Sequence, residues 1–278
     1  MKHQDIYRVI EQEAPLSLAE KWDHVGHAIG DAEAETTGVV LCLDLMPSTI
    51  ALAQQHNCNL IISHHPQFFN PLEHIRQDRA EEAQLLRLIK NEIALYSAHT
   101  NLDASQHGVA YQLLKTCLTP AQIAETDINI LEPKQDENLA DRSVGHGRWV
   151  ELGTELSLTD LYTQVTHALK APFCRLTTDQ NRKVKKVCFC PGAFAEEWIS
   201  LLEAEQIDTL VTGEMKHNVG ISLELRNISA LVTGHDTNER VVLPYLQQLI
   251  QSQFPSLHIG VDMGLQYDSL LAYPQTKC

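Results

Sequence analysis

Short apolar runs alternate with amphipathic segments along most of this chain. Continuous apolar runs predict buried strands, whereas apolar positions three or four residues apart predict helices. The strands predicted in this way span residues 39–43, 60–62, 93–97, 187–190, 209–212 and 230–233. The helices predicted between or after them span residues 48–56, 79–91, 109–118, 195–205 and 219–226. Strands that alternate with helices predict an α/β protein with mixed, largely parallel sheets.

The order strand, helix, strand occurs twice with similar polar endings. The first copy, residues 38–66, ends its second strand on His64 and His65, and the second copy, residues 184–217, ends on Glu214. Ligand-binding groups in parallel sheets gather at the carboxyl ends of the strands. We therefore expect two duplicated halves that each present polar side chains at such an edge.

The segment 132–142 is polar, acidic and poor in aromatic residues, which is typical of a linker or an exposed loop. It suggests a division into a first half at residues 1–130 and a second half at residues 131–278. Near the end of the chain, Pro244 either opens a helix over 246–253 or kinks a helix that begins closer to Thr237.

Charge and composition narrow the possible partners. The 278 residues are 44% hydrophobic and carry a formal net charge of −15, which is ordinary globular composition with an acidic balance. Nucleic-acid surfaces need clustered Lys and Arg, so a general nucleic-acid surface is not expected. An acidic protein can still bind a phosphorylated substrate when bound cations supply the positive charge.

The cysteines and the apolar runs indicate where the protein resides. Seven cysteines are scattered without a CxxC pair, which is typical of reduced thiols in a cytosolic protein. The N-terminal residues lack the apolar core of a signal peptide, and no apolar run approaches the length of about 18 residues that spans a bilayer. We expect a soluble, cytoplasmic protein that does not associate with membranes.

Three histidine motifs carry the candidate chemistry. His64 and His65 stand at a strand exit, where adjacent side chains point to opposite faces, so each could serve a different ion; an exposed loop pair is the alternative. His99 is followed four residues later by Asp103, which could equally cap a helix. His235 and Glu239 repeat that spacing and would share one helical face if the helix begins before Pro244. Imidazole nitrogens and bridging carboxylates are a ligand set for paired metal ions.

Other chemistry receives less support from the sequence. His217, three residues after Glu214, is a candidate proton donor or acceptor, although it could also be a surface histidine. The chain contains no Walker loop, GxSxG, GxGxxG or HExxH motif. The remaining histidines are interpreted as structural or exposed. The recurrence of His and acid in both copies therefore decides in favour of a composite metal site.

These motifs resemble those of the Nif-three-like dinuclear-metal family, whose members are often named GTP cyclohydrolase 1 type 2 homologues. The resemblance extends over nearly the whole chain. Its motifs are Ala14-Pro15, Leu18-Ala19-Glu20-Lys21-Trp22-Asp23, Val25-Gly26, Ile61-Ile62-Ser63-His64-His65-Pro66, Ala98-His99-Thr100-Asn101-Leu102-Asp103, Val211-Thr212-Gly213-Glu214 and Gly234-His235 with Glu239.

The resemblance implies two intertwined, duplicated α/β halves with a metal site between them, and a ring-shaped homohexamer. It also implies two divalent ions, such as zinc, iron or manganese, with a bridging glutamate. The residues that match the ligands of the family are His64, His65, Asp103, His235 and Glu239. Positions His99 and His217 match residues near the metals.

The chain departs from the family pattern in two turns and one loop. The usual glycine-rich turn is replaced by Cys190-Pro191-Gly192, which puts the binding of a phosphate there in doubt. The usual Asp after Thr-Gly is Glu214, which has the same charge and a longer reach. In the loop after Trp-Asp, two imidazoles are added by His24 and His27.

The function implied is that of a dinuclear metal-dependent hydrolase. In such a site the metals activate a water molecule that attacks a nucleotide-like substrate, with His99 or His217 moving protons. A phosphoesterase would use the same centre. The alternative from another class is a non-catalytic ring protein that binds metal or docks a partner.

Overall fold

A computed structural model of the chain describes residues 1–123, 128–134, 139, 143–177 and 182–264, and it confirms the α/β class. Most of the predicted linker, residues 135–138 and 140–142, lies outside the described residues. The chain forms two compact units, of which the first comprises Met1–Ser105 and Val242–Gly264 and the second includes Gln106–Val241. The C-terminal part of the described chain thus returns to the unit in which the chain began.

The strands are β1 (Gly26–Ile29), β2 (Val39–Cys42), β3 (Leu60–Ser63), β4 (Ala94–Ser97), β5 (Asn129–Pro133), β6 (Gly145–Ser157), β7 (Arg175–Leu176), β8 (Lys183–Ala193), β9 (Thr209–Glu214), β10 (Ser229–Val232) and β11 (Ile259–Val261). The helices are α1 (His3–Glu13), α2 (Pro47–Gln55), α3 (Ala80–Lys90), α4 (Thr100–Ala104), α5 (Val109–Cys117), α6 (Leu158–Leu169), α7 (Ile199–Ala204), α8 (His217–Leu225), α9 (His235–Glu239) and α10 (Val242–Gln253).

The sheet of the first unit has the strand order β1-β4-β3-β2-β11. Strands β4, β3, β2 and β11 are parallel, whereas β1 is an antiparallel edge strand. All residues of β2, β3 and β4 are buried, as expected when helices cover both faces of a parallel sheet. The register aligns Cys42, Ser63 and Ser97, so the segments that follow these strands begin at one edge.

The sheet of the second unit has the order β5-β6-β8-β9-β10-β7. Its strands β8, β9 and β10 are parallel, and the strands that flank them pair in the antiparallel sense. Thr212 of β9 aligns with Cys190 of β8 and Val232 of β10. The carboxyl ends of these three strands therefore form an edge that corresponds to the edge of the first sheet.

Three local features define where helices begin. Ser157 caps α6, because its Oγ accepts a hydrogen bond of 3.0 Å from the amide of Asp160. Pro244 lies in the first turn of α10, where a missing N–H has no consequence. The five-residue helix α9 precedes α10 and contains both His235 and Glu239.

Strand β1 is a difference from the prediction, since residues 23–30 lack the apolar run of a buried strand. It is an edge strand with only one fully buried residue, so its sequence carries little of the signal of a core strand. Within the described residues, no helix has the length and apolar character needed to cross a membrane.

Candidate metal centre

His64 is the first residue after β3, and its side chain is completely buried. Its Nδ1 lies 2.8 Å from the carbonyl oxygen of Ala98. A carbonyl oxygen only accepts hydrogen bonds, so Nδ1 must carry the proton, and Nε2 of the neutral ring then presents its lone pair. That Nε2 faces Oδ1 of Asp103 at 3.6 Å.

Asp103 lies within α4, one turn after its start, and is not the N-cap that the sequence left open. The separation of 3.6 Å from His64 exceeds a normal hydrogen bond. Two ligand atoms that bind the same ion, each at about 2.0–2.2 Å from it, are separated from one another by a distance close to this 3.6 Å. The geometry between these two side chains therefore suits a cation.

His65 does not point away from His64, although strict strand alternation predicts that it would. The strand ends at Ser63, the chain turns, and the two imidazole centroids lie 5.0 Å apart. The turn is held by the Ser63 hydroxyl, which donates to the carbonyl of His65 at 2.8 Å. Nδ1 of His65 lies 2.9 Å from Oδ1 of Asp44, two residues beyond β2.

His99 completes a group of three imidazoles. Its centroid lies 5.1 Å from that of His64 and 5.5 Å from that of His65. One candidate ligand atom from each of the three lies within 4.8 Å of the others. The sequence predicts His99 only as a residue near the metals. The structure places it within the group of imidazoles itself.

Asp23 orients His99 from the loop before β1. Its buried carboxylate lies 3.0 Å from Nδ1 of His99 and accepts the amide and the hydroxyl of Thr100. Burial by itself raises the pKa of the Asp23 carboxyl, but hydrogen bonds from His99 and Thr100 outweigh it and hold the pKa well below its usual range. Asp23 is therefore ionised at neutral pH, and Nδ1 of His99 is the donor.

The second unit carries a different set at the ends of β9 and β10. Nδ1 of His235 lies 3.1 Å from Oε1 of Glu214, and its Nε2 lies 3.1 Å from Oε2 of Glu239. His235 opens α9 and Glu239 ends it, so the predicted spacing of four residues does place both on one helical face.

Close backbone packing explains the glycines around this set. Gly192 has φ +65°, and a Cβ there would collide with Oε1 of Glu239. A Cβ on Gly213 would collide with the backbone at Gly192 and His235. Residues 190–192, expected to form a turn, belong to the end of β8, where its register with β9 is irregular, and Gly192 stands there at the point where the carboxylate of Glu239 approaches the backbone.

All four imidazoles share one arrangement, in which Nδ1 meets an oxygen acceptor. The acceptors are Ala98 for His64, Asp44 for His65, Asp23 for His99 and Glu214 for His235. Metal-binding histidines commonly donate the other ring nitrogen in this way, which fixes the tautomer and the ring orientation. The donor set of imidazole nitrogens and carboxylate oxygens suits a divalent cation such as zinc, iron or manganese.

Other site predictions have different outcomes. His217 is an exposed residue at the start of α8, and it belongs to neither of the sets described above. Asp23 and Asp44 were not singled out from the sequence as site residues. Asp44 follows β2 by two residues as His65 follows β3, so the shared strand-end position is the signal that could have found it.

The structure thus defines an α/β protein of two units, each with a histidine-containing, metal-ligand-type set at a sheet edge. Residues 1–265 match the family described as Duf34/NIF3 (NGG1p interacting factor 3). The chain belongs to this family.

Similarity to individual proteins agrees with the family match. A Clostridium acetobutylicum protein named GTP cyclohydrolase 1 type 2 homolog is 29% identical, and the alignment covers 98% of each chain. NIF3-like protein 1 of Drosophila melanogaster is 31% identical over 84% of this chain and 77% of its own. The crystal structure of a Bacillus cereus protein related to NIF3 has a TM-score of 0.83 at 20% identity, covering 96% of this chain and 98% of its own. This last likeness concerns the fold.

Proposed function

We propose that this protein is a metal-dependent hydrolase that holds two divalent cations. The proposed ligands are His64, His65, Asp103, His235 and Glu239, with Glu239 bridging. The proposal is supported by the name GTP cyclohydrolase 1 type 2 homolog, which several bacterial relatives carry. It is also supported by the ligand-type side chains at the two sheet edges.

The single observation that carries the proposal is the environment of His64. The Ala98 carbonyl accepts a hydrogen bond from Nδ1–H of His64, which leaves Nε2 to face the carboxylate of Asp103. Two electron-rich atoms in a buried site repel unless a positive charge lies between them. The separation of 3.6 Å between these atoms matches the spacing of two ligand atoms that each lie about 2.0–2.2 Å from one divalent ion.

The residues around the proposed metal ions have different proposed roles. A divalent ion, when bound, lowers the pKa of a water molecule and polarises the bond under attack. Ala98 and Asp44 orient the rings of His64 and His65 so that Nε2 is the basic nitrogen, and the carboxylates of Glu214 and Glu239 hold the two ring nitrogens of His235. We assign proton transfer to His99, oriented by Asp23, or to His217 on α8.

The substrate class is proposed to be nucleotide-like, and a ring-opening hydrolysis is the first reaction to test. The metal content of freshly purified protein is measured, and metal-loaded protein is then incubated with GTP while the products are followed. Phosphate monoesters and diesters form a parallel panel that distinguishes a phosphoesterase. Turnover that disappears in His64→Ala and Glu239→Ala supports the proposal. A metal-loaded wild type that processes GTP and the panel no faster than these variants would contradict it.

A second candidate is a non-catalytic metal-binding or interaction protein. It is favoured by the name of a Saccharomyces cerevisiae relative, NGG1-interacting factor 3, which is 29% identical over 84% of this chain. This candidate predicts stoichiometric metal binding without turnover. A reproducible metal-dependent rate on any nucleotide or phosphoester would exclude it.

Assembly and location are further parts of the proposal. We propose a homohexameric ring, which mass photometry or sedimentation would reveal as a species of six chains. We also propose a cytoplasmic location, because the cysteines that the structure describes are all free thiols. Fractionation of the producing cells tests that location.

A further inference from the structure

The C-terminal strand of the first sheet brings a carboxylate to the edge at which the imidazoles lie. Strand β11 pairs in parallel with β2, and the amide of Asp262 extends this pairing by donating to the carbonyl of Leu41 at 2.8 Å. Because the two strands run in the same direction, Asp262 leaves β11 at the edge at which Asp44 leaves β2. Asp262 is therefore near the candidate site in space although it is far from it in sequence.

The carboxylate of Asp262 binds the first turn of α2. Its Oδ2 accepts hydrogen bonds from the hydroxyls of Thr49 at 2.6 Å and Ser48 at 3.2 Å, and its Oδ1 accepts the amide of Gly264 at 2.9 Å. Thr49 is completely buried, so water does not compete for its hydroxyl. The carbonyl of Asp44 also lies 3.4 Å from that hydroxyl, but the short bond to a charged carboxylate is the stronger of the two.

Thr49 in turn fixes the segment 43–46, which connects β2 to α2. Its Oγ1 accepts the amide of Met46 at 3.2 Å while its proton is donated to Asp262. Both the donor and the acceptor functions of the hydroxyl are thus in use. One buried hydroxyl therefore joins the end of this segment to the C-terminal strand.

The same segment holds His65 at two points. The carbonyl of Leu43 accepts the amide of His65 at 2.9 Å, and Oδ1 of Asp44 lies 2.9 Å from its Nδ1. The side chain of Asp44 is 58% exposed, so its position depends on the backbone that carries it. A continuous chain of contacts thus leads from Asp262 through Thr49 and the segment 43–46 to the imidazole of His65.

A separate observation places the two carboxylates around one buried group. Burial raises the pKa of the Cys42 thiol well above its usual value, and the negative charges of Asp262 and Asp44 raise it further. Both carboxylates therefore lie close to Cys42, the last residue of β2. The C-terminal strand thus belongs to the surroundings of the segment that holds His65.

We propose that Asp262 is a positioning residue for His65, because through Thr49 it fixes the segment 43–46 that holds the imidazole in place. This inference rests on the proposed function only in regarding His65 as a metal ligand. It gives the C-terminal strand a part in the candidate metal centre.

The first measurement needs no metal. Order parameters of the histidine rings are obtained by NMR relaxation of the metal-free full chain, and the signal of His65 is assigned by its loss in His65→Gln. In Asp262→Ala, the order parameter of His65 should fall by about a third, which is the difference between rigid and flexible groups. The order parameter of His64 should not change, because the carbonyl of Ala98 orients that ring.

Two variants of Thr49 separate positioning from stability. Thr49→Ser keeps the hydroxyl but loses a buried methyl group, whereas Thr49→Val keeps the shape but loses the hydroxyl. We expect Thr49→Val to loosen the ring of His65 as Asp262→Ala does. Thr49→Ser should keep the ring ordered even though urea unfolding shows it to be less stable than the wild type.

Asp5→Ala is the matched control. Asp5 is also a partly buried carboxylate of the first unit, and it binds the start of α1 by accepting the amide of Lys2 at 2.8 Å. It also accepts from Arg8, so its partners lie outside the chain of contacts that leads to His65. This variant should leave the rings of His64 and His65 unchanged.

Metal affinity is measured separately, with zinc in competition against a chromophoric chelator. Asp262→Ala and Thr49→Val should each weaken zinc binding by roughly fivefold, which is less than the loss of about 10–100-fold when a ligand loses its direct partner. Asp5→Ala and Thr49→Ser should bind zinc like the wild type.

The inference is wrong if the ring of His65 is as ordered in Asp262→Ala as in the wild type, or if Thr49→Ser loosens it as much as Thr49→Val. It is also wrong if the looser ring binds zinc with unchanged affinity. If the wild type binds no zinc while the ring responds as expected, the proposed metal-dependent function fails and the positioning of His65 by Asp262 stands.

Discussion

The two sheet edges carry related side chains but hold them by different means. At the edge of the first unit, a backbone carbonyl orients the fully buried His64, and a buried carboxylate, Asp23, orients His99. At the edge of the second unit, His235 is 35% exposed and is oriented by Glu214, whose side chain is 62% exposed.

This difference separates a rigid edge from an adjustable one. A buried backbone carbonyl such as that of Ala98 has no side-chain rotamers. An exposed glutamate such as Glu214 loses side-chain entropy when it fixes the imidazole that it contacts. The first edge is therefore organised at His64 and His99 before a metal arrives, although its His65 is held by the exposed Asp44, and the second edge depends more on the metal itself. Variants of matched residues at the two edges test this interpretation.

The largest effect is expected from removing one imidazole at each edge. His64→Ala and His235→Ala should each weaken metal binding by more than about hundredfold, since changing only the partner of a ligand costs about 10–100-fold. In the metal-free protein, His64→Ala should lower the free energy of unfolding by about 2 kcal/mol because it empties a buried site. His235→Ala should lower it by less than about 0.5 kcal/mol, as at most exposed positions.

Metal titration and urea unfolding measure these two effects. His74→Ala, at an exposed histidine of the first unit, is the control and should leave both unchanged. Equal destabilisation by the His64 and His235 variants would contradict the distinction between a rigid and an adjustable edge.

Chelation is expected to have the next largest effect. A ligand present at 100 times its Kd stabilises the folded state by about 2.7 kcal/mol, which corresponds to a shift in Tm of roughly 5–10 °C for a chain of this size. Amide exchange should increase more in α9 than in α4, because the second edge depends more on the metal. An unchanged Tm after chelation, with metal content confirmed before and after, would argue against a metal site.

A smaller effect is expected when the acceptors are altered and the imidazoles are kept. Asp23→Asn removes the buried charge that fixes His99 beside the proposed ligands His64 and His65, so metal binding should weaken by about tenfold, the low end for residues that support a ligand. Glu214→Gln alters an exposed pair, which contributes about 1 kcal/mol at most, so the loss should be less than about fivefold. Competition against a chromophoric chelator measures both, and a greater loss in the Glu214 variant would reverse the comparison.

Most of the fold could be predicted because its central strands are short apolar runs. Apolar residues at 39–43 and 209–212 predict strands that the structure contains as β2 and β9. The antiparallel edges of the second sheet were not predicted. Their pairing depends on contacts between distant segments. The long strand β6 is an example, because buried and exposed residues do not alternate regularly at its exposed end.

The histidines of the candidate site could be predicted from the sequence. The groups that accept hydrogen bonds from them were harder to predict. His64 and His235 stand at strand ends, which is a local signal. The acceptors Asp44 and Asp23 lie 21 and 76 residues from the imidazoles they hold, so only the tertiary fold joins them. The ring of His65 lies close to that of His64 because β3 ends at Ser63. The alternation of side chains along a strand does not predict where that strand ends.

The last effect is mainly on stability and concerns the glycine against which Glu239 packs. Gly192→Ala adds a Cβ in the left-handed region at φ +65° and forces it toward the carboxylate of Glu239. We expect a loss of about 1–2 kcal/mol in the free energy of unfolding. Because the carboxylate must move, metal binding should weaken as well, which a purely conformational cost would not cause.

Gly153→Ala is the matched control, since Gly153 also lies in the second unit and its Cβ would meet nothing within 4 Å. It should leave stability within about 0.5 kcal/mol of the wild type and metal binding unchanged. If Gly192→Ala lowers stability but binds metal normally, the glycine serves only the backbone conformation at the end of β8. In that case the position of Glu239 does not depend on the backbone of the second edge, and that edge adjusts even more freely than the comparison implies.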